Sequence, residues 1–146
     1  MWESIQSGAA ERDPFLLQRL ILLTYCDLKQ YKYYHWFAFP ALQPPAPFTA
    51  AGPAASLAEC FGPAAEQLVA TCSAHARGSG QPAWLVLTGG AGGEASCHAL
   101  SDWAALQELA AAEEGLQVSL AVADTCNLAG HPGWPLRNLL LLACVR

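Results

Sequence analysis

Charged residues are scarce in this sequence. Asp, Glu, Lys and Arg make up 13% of its 146 residues, against about 25% in average usage. Lysine is represented by Lys29 and Lys32 alone, and the net charge is −5. A basic face able to track phosphates is therefore lacking, which argues against a nucleic-acid partner. The apolar fraction, 53%, is ample for the core of one domain. With so little charge to cover the surface, some apolar area is expected to meet another part of a larger protein.

Other absences exclude whole classes of chemistry. The apolar run Leu20 to Leu23 is far shorter than the roughly 20 residues that span a bilayer. No charged-then-apolar leader opens the chain, where Trp2, Glu3 and Ser4 follow the first residue. The cysteines at 26, 60, 72, 97, 126 and 144 include no Cys-x-x-Cys pair, and they read as reduced, mostly buried thiols. The histidines at 35, 75, 98 and 131 lack His-x-x-x-His spacing, so no metal site is expected. The glycine-rich stretch Gly89 to Gly93 has no Gly-Lys-Ser/Thr ending and reads as a plain loop. Glu113-Glu114 reads as a solvated helix end. Cys97 and His98 are adjacent on an expected strand and would point to opposite faces, which separates a thiol from its base. No catalytic residue, metal or cofactor is expected in this chain.

What is present reads as alternating elements. Trp2 to Gln6 resembles the last turn of a helix closed by Gly8. Asp13-Pro14 is an N-cap followed by a first-turn proline, opening an apolar segment to Lys29 that is expected to be a buried helix. A strand from Leu20 to Leu28 is the competing reading, because short apolar runs are ambiguous. Tyr31 to Phe39 is aromatic on both faces and stopped by Pro40, so a strand inside a sheet is expected. Pro40, Pro44, Pro45, Pro47 and Pro53 then make a long loop. Ser56 with Glu59 forms a capping box. Gly62-Pro63 interrupts that helix, and a second one runs from Pro63 to about Arg77. Strands are expected over Ala83–Thr88, Glu94–Leu100 and Leu116–Ala123. Helices are expected from Ser101 or Asp102 to Ala112, and from Pro135 to Cys144. The order lacks a strict βαβ rhythm, so the expected class is α+β, with a mixed, largely antiparallel sheet and packed helices.

Two segments carry more than packing. The first comprises Trp2-Glu-Ser-Ile-Gln-Ser-Gly8, Leu22-Leu-Thr-Tyr-Cys-Asp-Leu-Lys29 and Tyr31-Lys-Tyr-Tyr-His-Trp-Phe-Ala-Phe-Pro-Ala-Leu42. The second comprises Cys126-Asn-Leu and Pro132-Gly-Trp-Pro-Leu-Arg-Asn138. A Pro-Gly-Trp-Pro turn fixes the backbone. Arg137 and Asn138 can bond neighbouring carbonyls, locking the loop to the last helix, or can form part of a docking surface. Trp134, Arg137 and Asn138 are the candidate partner-binding residues, since aromatic residues and Arg are enriched at binding hot spots.

These segments closely resemble the N-terminal domain of the autophagy-related protein seven family, the ubiquitin-like modifier-activating enzymes of autophagy. The match is ordered at both ends of the chain and poor between Gln43 and Glu114. Thr125 stands where the family has proline, Tyr25-Cys26 where it has Phe-Ala, and Gln30 where it has a second lysine. The resemblance implies that residues 1–146 are the C-terminal portion of an incomplete N-terminal, conjugating-enzyme-recruiting domain. The adenylation domain, with its ATP site and catalytic cysteine, would then be absent and the chain alone inactive. The implied partners are autophagy-related proteins three and ten, the conjugating enzymes that receive modifiers eight and twelve, together with the rest of the activating enzyme. The implied location is the cytoplasm, at the autophagosome assembly site, without membrane insertion. The alternative is a structural brace, or an incomplete gene product without independent activity.

Overall fold

The computed structural model describes residues 1–89, 94–128 and 132–146. Gly90 to Gly93, and with them most of the glycine-rich stretch, lie outside the described residues, as does His131. The class is the expected α+β, with the described strands divided between two antiparallel sheets.

Helix α1 spans Trp2–Gln6, and Gly8 follows it at φ 72°, the left-handed conformation that suits a residue without Cβ. Helix α2 is Ala9–Arg12. Asp13 then caps a single 3-10 turn, Pro14–Leu17, accepting from the Phe15 backbone N–H at 3.2 Å.

Here the expected buried helix from Pro14 to Lys29 is corrected. Only its first turn forms, and β1 (Ile21–Asp27) takes the rest. The reason lies in the partner strand. Strand β2 (Lys32–Ala38) is rich in aromatic residues, and Ile21 pairs with Ala38 through to Asp27 with Lys32. Local turn chemistry closes this hairpin. The Asp27 carboxylate accepts the backbone N–H groups of Lys29 and Gln30, at 3.0 and 3.2 Å, and Tyr31 turns the chain at φ 53°. Among the described residues, no third strand joins the β1–β2 ribbon. Its aromatic residues are exposed on both faces, which corrects the expectation that Tyr31 to Phe39 lies inside a sheet. Aromatic composition marks a strand but does not say whether anything covers it.

The capping box is formed as read. The Ser56 backbone N–H and hydroxyl donate to Glu59 Oε2 at 2.7 and 2.8 Å, and the Glu59 N–H donates to Ser56 Oγ at 3.3 Å. These bonds, the backbone one first, hold the Glu59 carboxyl below its ordinary pKa. Helix α3 (Leu57–Phe61) ends at Gly62-Pro63, and α4 (Ala65–Ser79) follows. The second sheet has β3 (Ala83–Thr88) at its centre, between β4 (Ser96–His98) and β5 (Gln117–Val122). Helices α5 (Trp103–Ala112) and α6 (Pro135–Val145) complete the fold.

Alternation along β3 divides the core. Ala83 and Leu85 face one cluster with Ile5, Leu17, Leu100, Trp103 and Leu142. Trp84 and Val86 face another with Leu68 of α4. The sheet is thus sandwiched between α4 and a layer built from α1, α5 and α6. Arg146 at the end of α6 clamps the N-terminal helices, pairing with Glu11 and donating to the Ile5 carbonyl at 2.8 Å.

Candidate functional site

The sequence motif Pro132-Gly-Trp-Pro-Leu-Arg-Asn138 sits at the start of α6, with Pro135 in its first turn. The loop before it is anchored by Asp124. Its carboxylate accepts the Gly133 N–H at 2.6 Å and the Cys126 N–H at 2.8 Å. Those backbone bonds, that from Gly133 first, hold the Asp124 carboxyl below the usual aspartate range.

The three expected partner-binding residues divide by position. Trp134 is 55% exposed, and the Arg137 guanidinium lies over its ring, 4.6 Å from the centroid. This stacking holds a cation and a flat apolar surface together at the protein exterior. Asn138 is 2% exposed and turned inward. Its amide oxygen accepts the Leu42 N–H at 2.8 Å, and its amide nitrogen donates to the carbonyls of Leu17 and Pro40 at 2.8 and 2.9 Å. One side chain therefore joins α6, the first 3-10 turn and the chain leaving β2. That burial leaves Trp134 and Arg137 as the surface pair.

Beside that pair lies the end of the hairpin. Phe37, Ala38, Phe39 and Trp134 border a shallow depression of about 320 Å³, and Phe37 is 69% exposed. Along one ribbon face, Tyr25 stacks with Tyr34 at 6.2 Å and Tyr34 with Trp36 at 6.3 Å. On the other face, Tyr33 stacks with His35 at 6.4 Å, and Thr24 Oγ1 bonds His35 Nδ1 at 2.9 Å. Phe37 and Phe39 were not singled out as site residues from the sequence. Their signal was the same aromatic run that reads equally well as core.

Cys97 and His98 point apart as strand alternation requires: Cys97 packs toward Trp84 and Cys72, while His98 Nε2 bonds Ser96 Oγ at 2.8 Å. Among the described residues, no three His, Cys, Asp or Glu side chains gather as metal ligands. No helix among them is long and apolar enough to cross a membrane.

Residues 1–146 match the family described as "Ubiquitin-like modifier-activating enzyme ATG7 N-terminus". The chain belongs to this family. It is 36% identical over 147 residues to the ATG7 ubiquitin-like modifier-activating enzyme of Gallus gallus, a match covering 98% of this chain and 20% of that protein. The Homo sapiens enzyme is 34% identical over 155 residues, covering 100% of this chain and 20% of that protein. The Neurospora crassa enzyme is 32% identical over 158 residues, covering 97% and 22%. The chain thus spans about a fifth of the length of these curated ATG7 relatives. Its family is that of the autophagy activating enzymes. The Trp134–Arg137 pair and the Phe37–Phe39 end of the hairpin make up one candidate docking surface.

Proposed function

We propose that this chain is the recruiting portion of an ATG7-type activating enzyme. It captures the conjugating enzymes, autophagy-related proteins three and ten. Modifiers eight and twelve can then pass to them from the activating enzyme's thioester. The observation that carries this reading is the exposed group of Phe37, Phe39 and Trp134 around one depression, with the Arg137 guanidinium stacked on the Trp134 ring. Exposed aromatic and Arg residues grouped on one surface are the composition of a binding hot spot, whereas scattered exposed apolar residues need no explanation.

One observation favours a second reading, a structural brace. The hairpin is apolar on both faces, with Leu23 opposite Trp36 on one and Leu22 opposite Phe37 on the other. A ribbon of that kind also suits insertion between other parts of a larger enzyme.

Competition separates the two. Excess chain added to a reconstituted transfer reaction, containing the complete activating enzyme and a conjugating enzyme, is expected to slow transfer by sequestering the conjugating enzyme. Trp134→Ala and Phe37→Ser are expected to weaken that inhibition. Undiminished transfer in the presence of the folded chain would favour the brace.

A further inference from the structure

Cys72 on α4 and Cys97 on β4 place their sulfurs 3.9 Å apart, beneath the helix and against the sheet. Both are half-buried in the cluster formed by Leu68, Trp84 and Val86. The other cysteines are located elsewhere: Cys60 on α3, Cys126 in the loop before α6, Cys144 near the end of α6, and Cys26 on the hairpin. Neither the packing of the ATG7 N-terminal fold nor the candidate docking surface uses the pair as anything more than apolar volume.

We propose that Cys72 and Cys97 form a reversible disulfide that fastens α4 to the edge strand of the central sheet. A disulfide needs sulfurs about 2.05 Å apart. The gap to be closed is therefore about 2 Å. The oxidant is a small disulfide such as oxidised glutathione. The Cys72 thiolate attacks one of its sulfurs, forming a mixed disulfide and expelling one glutathione thiolate. Cys97 gives up its proton to solvent and attacks Cys72 Sγ, closing the protein disulfide and expelling the second glutathione as thiolate. The protein loses two protons and two electrons, and the oxidant leaves as two glutathione molecules.

Burial is the main cause that pushes the Cys97 thiol up to about 11, and Cys72 adds to it. The Trp84 indole N–H meets no partner at hydrogen-bond geometry, yet its dipole near the sulfur works in the opposite direction. A high pKa keeps Cys97 protonated, so the resolving step is slow at neutral pH and accelerates as pH rises. Capping Cys72 in the mixed disulfide removes its share of the upward push. The neutral disulfide carries no desolvation penalty, so the burial that slows the reaction does not oppose its product.

The test equilibrates the 146-residue chain in glutathione buffers of graded redox poise, then alkylates remaining thiols and maps the peptides by mass spectrometry. The expected result is a Cys72–Cys97 link, two fewer alkylated thiols, and recovery of both on reduction. The linked form should also melt on the order of 10 °C higher. Cys60→Ser should leave the link intact, whereas Cys72→Ser and Cys97→Ser should each abolish it. Labelling of both thiols at every poise, with no Cys72–Cys97 peptide, would overturn the proposal. So would equal yield of that link from guanidinium-unfolded chain, since the folded geometry would then not be its cause.

Discussion

Asn138 concentrates more of the fold in one side chain than any other polar residue described. It is the buried polar residue of the core, and its amide satisfies backbone groups from Leu17, Pro40 and Leu42. Asn138→Ala would leave those groups enclosed without partners, and a cost of roughly 2–4 kcal/mol is expected. Urea denaturation checks this, and a loss below about 0.5 kcal/mol, the range of ordinary surface changes, would contradict it. Asp124 acts on the same motif from the exposed side. Its folded pKa is depressed, so the anchoring is present above the unfolded pKa and is lost as pH falls through the folded one. The Gly133 amide resonance is expected to titrate with a midpoint below that of ordinary aspartate, and Asp124→Asn should abolish that titration. At this scale the sequence was partly legible. Strand alternation alone separated Cys97 from His98. Nothing in the residue order told Arg137, at the surface, from Asn138 beneath it, because that depends on how α6 rolls against the turn at Leu17.

Among the elements, the capping box at Ser56 and the break at Gly62-Pro63 were readable because their chemistry is local. The segment from Ile21 to Asp27 reads locally as either helix or strand. Its apolar run suits a helix or a strand, and the pairing that decides between them comes from a different segment, Lys32 to Ala38. The hairpin turn carries a local cost. Tyr31 holds a left-handed φ of 53° and is 90% exposed, so its side chain contributes little packing. Tyr31→Gly is expected to stabilise the ribbon by up to about 1 kcal/mol, after the added chain entropy of glycine is set against the relieved strain. Slower amide exchange in β1 and β2 would bear this out, and faster exchange would contradict it.

For the whole molecule, low charge and high apolar content pointed to an exposed apolar surface, and the hairpin supplies one. The antiparallel α+β class followed from the order of elements, because no βαβ rhythm was present. The motifs at the two ends pointed to the ATG7 N-terminal family, where the chain belongs. The expected burial of the aromatic strand fails because the same side chains can fill a core or face a partner. Whether the exposed surface recruits is decided by calorimetric titration of the folded chain with the conjugating enzyme autophagy-related protein three. Saturable binding is expected, weakened about tenfold or more by Trp134→Ala, the scale of a hot-spot loss of 1.4 kcal/mol or greater, in a variant whose unfolding transition is unchanged. Absence of binding by a cooperatively folded chain would contradict recruitment and leave the hairpin as an internal brace.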